Sequence, residues 1–205
     1  MKSIVFFGDS VTEAHRNMKD TNDLGQGFIY LLEKTYPQFH FFNRGIGGQK
    51  VLDLLKRVHH DVIDLRPDVC FIWIGINDAW LPYLLHQSPT KDSFVDHYQL
   101  LIHCIQDSLK EVKLILIKPF ALPIGHVSID VYRDLELFRD FVEHIGDINK
   151  LDVIDIKKDI ESQLVLMPGD ALFYDGIHPT PKGYEVIKDV IDRYIKEHIL
   201  WFIIQ

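Results

Sequence analysis

Ile4-Val5-Phe6-Phe7-Gly8-Asp9-Ser10 is the stretch that decides the fold of this chain. Ile4 to Phe7 is a short, continuous, β-rich apolar run, the pattern of a strand buried on both faces. Gly8 ends the run and permits a tight turn. A strand of that kind belongs in a parallel sheet. Ser10 then falls just beyond the sheet's carboxyl edge, where α/β folds hold their ligands. A serine there could act as a nucleophile, provided a base and oxyanion donors converge on it. The same composition also suits a plain solvated βα turn with Ser10 as a helix cap.

Outward from this stretch, the chain repeats the pattern. Residues 11–23 are polar and irregular, a loop at the mouth of any site at Ser10. A helix is expected over Leu24–Tyr36, then a strand over Phe39–Asn43, then the glycine-rich Arg44-Gly45-Ile46-Gly47-Gly48-Gln49. Val51, Leu55, Val58, Val62 and Leu65 recur at helical spacing. Val69–Ile74 is the next strand, ending in Gly75-Ile76-Asn77-Asp78-Ala79-Trp80 and a loop with Pro82 and Pro89. A helical stripe from Phe94 to Leu109 precedes a strand over Val112–Ile117. A stripe from Val131 to Ile145 precedes a strand over Val153–Ile156. A short helix over residues 157–167 and the loop Tyr174-Asp175-Gly176-Ile177-His178-Pro179 follow. Thr180 and Pro181 then stand where the cap and first position of a last helix belong. Five strand–helix alternations without a linker predict one domain over residues 1–205, a doubly wound parallel sheet with helices on both faces. Right-handed crossovers gather the βα loops on one rim, so Ser10, Gly48, Asn77 and the 118–126 loop share it, and the 174–179 segment can reach it.

Composition narrows the function. The chain is 47% hydrophobic and 25% charged, with a formal net charge of -8. Such a balance belongs to a globular protein and disfavours nucleic acid as a partner. No apolar run reaches the length of a membrane span, and no secretory leader pattern precedes the first strand. Cys70 and Cys104 fall in a strand and a helix, away from any metal-like cluster, and read as free thiols. The expectation is a cytoplasmic protein. The apolar Leu200-Trp201-Phe202-Ile203-Ile204 suits either a contact in a homo-oligomer or packing on the chain's own body.

Acyl transfer by a serine needs a base, a carboxylate that holds the base in the right tautomer, and donors for the oxyanion. Among eleven histidines, His178 stands out because Asp175 lies three residues before it with Gly176 between. That spacing can put the carboxylate on Nδ1 and leave Nε2 facing outward; it can also make a local hydrogen bond in a surface loop. Gly48 offers an unobstructed backbone N–H, or simply opens a helix. Asn77 offers a side-chain amide, or an Asx turn. Asp9 and Asp78 read as structural acceptors of loop amides.

Gly8-Asp9-Ser10, Gly48 after Asn43, Gly75-Ile76-Asn77-Asp78 and Asp175-Gly176-Ile177-His178 together resemble the four motif blocks of the SGNH, or GDSL-type, hydrolases. They occur in family order and span almost the whole chain. The family's Gly-Asp-Ser-Leu reads Gly-Asp-Ser-Val here. The resemblance implies a flavodoxin-like sheet of order 2-1-3-4-5 and a serine esterase without cofactor or metal. It implies Ser10 as nucleophile, His178 as base, Asp175 as its orienter, and an oxyanion hole from the N–H groups of Ser10 and Gly48 and the Asn77 side chain. Gly75–Trp80 and Lys118-Pro119-Phe120 look most like bacterial carbohydrate acetylesterases, which implies a small acetyl ester as substrate. Trp80, Phe173 and Tyr174 are then candidates for the substrate pocket, or packed loop aromatics. Neither His15 nor His126 has a comparable partner in sequence. The competing readings are a lysophospholipase or thioesterase acting on longer chains, and a flavodoxin-like binding module without catalysis.

Overall fold

Five apolar runs form five parallel strands in the computed structural model of the chain, which describes residues 1–87 and 89–200. β1 (Ser3–Gly8) lies between β2 (His40–Gly45) and β3 (Val69–Trp73). Beyond β3 come β4 (Lys113–Ile117) and β5 (Asp152–Ile154), giving the expected order β2-β1-β3-β4-β5. Val5 stands opposite Phe42 on one side and Cys70 on the other; Cys70 pairs with Leu114, and Leu116 with Val153. β1 from Ile4 onward and the whole of β3 are buried, which is why both read as unbroken apolar runs.

Helices cover both faces in two groups. α2 (Phe28–Thr35), α7 (Lys157–Leu164) and α8 (Pro181–Tyr194) form one; α3 (Val51–Val58), α5 (Lys91–Ser108) and α6 (Ile129–Asn149) form the other. Phe6 stacks on Phe71 across the sheet with centroids 4.6 Å apart and meets Phe28 of α2 edge-on at 5.2 Å. That aromatic cluster fixes the end of β1, and hence Ser10, against the first helix group.

Several local expectations change. Ser10–Glu13 is not loop but a short helix, α1, and α2 begins at Phe28 rather than Leu24, because Gly25 at φ +76° and Gly27 interrupt the approach. The long stripe from Val51 closes as a helix at Val58 and continues as a π turn over His59–Ile63. The segment after Gly75, expected as a loop because of Pro82, is the helix α4 (Ile76–Leu84). A proline removes a helical N–H, but Ile76, Ala79 and Pro82 share one buried face that packs toward α6, and burial outweighs the lost bond. Among the described residues no helix is long and apolar enough to cross a membrane. The apolar tail from Trp201 lies outside the described residues.

Candidate active site

The carboxyl end of β1 presents the serine. Asp9 caps α1, its Oδ1 accepting the Val11 N–H at 3.1 Å, so Ser10 is left free of capping duty. Asp9 is 2% exposed. Burial raises its carboxyl from 3.8 to about 7, against the opposing pull of the Val11 N–H and of nearby His178. Unfolded, the group ionises near 3.8; folded, it holds its proton to about 7. Between those values the folded state binds more protons, so this residue's contribution to stability is full below the window, falls as pH rises through it, and levels off above. Asp9→Asn keeps an acceptor for Val11 and has no charge to bury. Its melting temperature relative to the parent chain should therefore rise between pH 4 and pH 8. An offset independent of pH would show that Asp9 ionises normally.

The partner segment precedes α8. Asp175 Oδ1 accepts two backbone N–H groups, from Ile177 at 2.9 Å and His178 at 2.8 Å, while Oδ2 meets His178 Nδ1 at 2.7 Å. Gly176 makes the turn possible: its φ is +94°, and a Cβ there would lie 2.5 Å from the Ile124 carbonyl oxygen. Burial pulls the Asp175 carboxyl upward, but the His178 N–H, the imidazole and the Ile177 N–H outweigh it and hold the group below its ordinary value. His178 Nε2 then lies 3.0 Å from Ser10 Oγ. Serine, histidine and aspartate thus form one continuous hydrogen-bonded chain, across 168 residues of sequence between Ser10 and His178.

His126 also approaches Asp175. Its backbone N–H donates to the Asp175 carbonyl at 3.0 Å, and its Nδ1 stands 3.7 Å from Asp175 Oδ2. That distance is beyond a hydrogen bond, so His178 is the partner of the carboxylate.

The glycine-rich loop between β2 and α3 supplies the third component. Gly48 has φ +74° and is exposed, and a Cβ there would meet nothing within 4 Å. Its N–H and that of Ser10, at the start of α1, take no acceptor among the described residues. Asn77 in the first turn of α4 donates one amide hydrogen to the Gln49 carbonyl at 2.9 Å, which leaves the second. The loop is fastened on several sides. Glu13 accepts the Gly47 N–H, and Asp78 accepts the Val51 N–H at 3.2 Å. Arg57 binds the Gln49 side chain at 2.6 Å and the Gly8 carbonyl at 3.0 Å, tying the loop to the end of β1. Buried Asn43 joins β2 to the Thr12 and Leu24 carbonyls. Glu13 and Arg57 carry no recognisable spacing in sequence, and only the fold shows their part in holding the loop.

The three candidate pocket aromatics separate. Tyr174 is 67% exposed and lines a cavity of about 330 Å³ with Ser10 and His178. Trp80, one turn past Asn77, is half-buried against the core. Phe173 is buried and packs on Phe120 at 5.6 Å, the packed-aromatic alternative of the sequence reading. Among the described residues no group of three or more His, Cys, Asp or Glu side chains is arranged to hold a metal. A hydroxyl with a free N–H on its own residue and an imidazole oriented by a carboxylate are together equipped for nucleophilic acyl transfer.

The model of the GDSL-like lipase/acylhydrolase family matches residues 6–186. The chain is 28% identical to an acetylxylan esterase from Geobacillus stearothermophilus over 206 residues, 95% of this chain and 94% of the relative. A solved structure of that esterase, at 27% identity and covering 95% and 94% of the two chains, aligns with a TM-score of 0.81. Further structures of it are catalytic mutants in which alanine replaces an aspartate, a histidine or a serine. A Parabacteroides merdae protein, 24% identical with a TM-score of 0.85 over 95% and 94% of the chains, shares the fold.

Proposed function

From the premise that the chain belongs to the GDSL-like lipase/acylhydrolase family and is an ester hydrolase, we propose that it removes short acyl groups, acetyl foremost, from a carbohydrate or small alcohol. The observation that carries this reading is the hydrogen-bonded chain from Ser10 through His178 to Asp175, with the N–H groups of Ser10 and of exposed Gly48 left without acceptors among the described residues. In this cycle Ser10 Oγ attacks the ester carbonyl carbon as its proton passes to His178 Nε2. The negative charge gathers on the carbonyl oxygen, opposite the N–H groups of Ser10 and Gly48 and the Asn77 amide. Collapse expels the alcohol, which takes the proton from His178. Water, deprotonated by His178, then attacks the acyl-enzyme, and Ser10 recovers its proton as the acid leaves.

The preference for a short acyl group rests on how the rim is tied down. Tyr83 Oη donates to Asp134 at 2.8 Å, and Arg139 holds the Pro119 carbonyl at 2.9 Å. The 118–126 loop is pinned to the triad loop itself, Leu122 N–H to the Gly176 carbonyl at 2.8 Å and His126 N–H to that of Asp175 at 3.0 Å. A loop so attached cannot open as an apolar lid without disturbing the triad. Each further methylene contributes about 0.8 kcal/mol only where a groove receives it. The relative of nearly equal length is an acetylxylan esterase. With p-nitrophenyl esters, kcat/KM should peak at acetate to butyrate and fall steeply by octanoate, and acetylated sugars should release acetate. A maximum at eight carbons or more would favour the lysophospholipase or thioesterase reading.

Cys70, buried, and Cys104, half-buried, are both free thiols. They support placing the enzyme in a reducing compartment, the cytoplasm. Self-association through the apolar tail rests on the sequence of residues 200–204 alone.

A further inference from the structure

The cavity of about 330 Å³ beside Ser10 is lined by His178, Glu13, His15, Tyr174 and Tyr184, but by neither Gly48 nor Asn77. This asymmetry orients an ester. Its carbonyl oxygen must face the donor side, where Gly48 and Asn77 stand off the cavity lining, and its alcohol oxygen must face His178 Nε2, which lines the cavity and returns the proton. The cavity is therefore on the leaving-group side. Building on the esterase reading, we propose that it is a subsite for a neutral, polyhydroxylated alcohol, a sugar ring, and that Glu13 reads the hydroxyl next to the ester.

Glu13 lies three residues after Ser10 on the same helix, so both side chains project to one side. They converge on Gly47: a Cβ there would lie 3.1 Å from Glu13 Oε2 and 3.7 Å from Ser10 Cβ. Oε2 accepts the Gly47 N–H, while Oε1 accepts no hydrogen bond among the described residues. An acceptor without a protein partner thus stands on the wall of the cavity that Ser10 and His178 also line. Tyr174, 67% exposed, offers an aromatic face against which ring C–H groups can pack. An anionic leaving group such as a phosphodiester would meet the carboxylate charge. A quaternary ammonium is the other chemistry that a carboxylate and two tyrosines attract. Glu13 already faces the Gly47 N–H and the positive charge of nearby Arg16, so hydroxyl donors suit its remaining capacity better.

The test compares kcat/KM for a mono-O-acetylated methyl pyranoside bearing a free neighbouring hydroxyl with that for its analogue deoxygenated at that carbon. The parent chain should prefer the first by about 10- to 100-fold, the range of a hydrogen bond to a charged group. Glu13→Gln retains an acceptor for Gly47 but turns the second oxygen into a donor, and should collapse the ratio toward one, mainly through KM. Equal rates on the two glycosides in the parent chain, a ratio unchanged by Glu13→Gln, or faster turnover of acetylcholine than of either would overturn the subsite. The parent chain's rate on p-nitrophenyl acetate separates the two readings. Turnover there with any of those results removes the subsite alone, whereas no turnover removes the esterase reading and the subsite with it.

Discussion

Alanine at position 10 is expected to lower ester hydrolysis by several powers of ten and to abolish covalent labelling by an organophosphonate. The magnitude follows from what remains. Without Oγ, His178 Nε2 has no hydroxyl to activate, although the Gly48 N–H, the Asn77 amide and substrate binding persist. Triads stripped of one member retain only about 10³–10⁴-fold catalysis over water from such donors. The fold should not suffer, because Asp9 and not Ser10 caps α1, through the 3.1 Å bond to Val11. Turnover of p-nitrophenyl acetate and mass spectrometry of the labelled peptide measure the two effects. Adduct on a different serine, with Ser10 unmodified, would move the nucleophile elsewhere.

Sequence makes some of this architecture readable and hides the rest for physical reasons. The strands are legible because burial on both faces forces continuous apolar runs, as in Val69–Trp73. Asp175 and His178 are legible because their bond closes within four residues and needs Gly176 to do so. Ser10 and His178 could be brought together on paper only through the rim that right-handed alternation creates. Features without a local signature stay hidden. Arg57 links Gly8 to Arg44 and Gln49, the two ends of the glycine-rich loop, and nothing in its helical spacing distinguishes it from a solvated arginine. Pro82 argues against α4 locally, and only the buried face it shares with Ile76 and Ala79 reverses that. Phe173 sits beside the polar triad loop, yet its fate is decided by Phe120, more than fifty residues earlier. His126 approaches Asp175 through a loop whose path depends on Gly125 and Gly176 both adopting positive φ.

Asparagine at position 175 should leave the fold intact and still cut turnover by about 10⁴. The two oxygens of Asp175 have different duties. Oδ1 accepts the Ile177 and His178 backbone N–H groups at 2.9 and 2.8 Å, and Oδ2 faces His178 Nδ1 at 2.7 Å. In Asp175→Asn the single amide oxygen is claimed by the backbone pair, because two donors aimed at an NH₂ group would be left unsatisfied. The NH₂ group must then face Nδ1, which has to accept its hydrogen. A neutral imidazole that accepts at Nδ1 carries its proton on Nε2. Nε2, 3.0 Å from Ser10 Oγ, thereby becomes a donor where the reaction requires an acceptor. Structure is preserved and chemistry is inverted by one exchange of oxygen for nitrogen. Asp175→Ala cannot make this distinction, since it also strips both backbone N–H groups of their acceptor and loosens the loop. The decisive measurement is therefore Asn against the parent chain, turnover alongside melting temperature. An unchanged melting temperature with near-normal turnover would mean that another group sets the tautomer of His178, and His126, 3.7 Å from the same carboxylate oxygen, would be the first to examine.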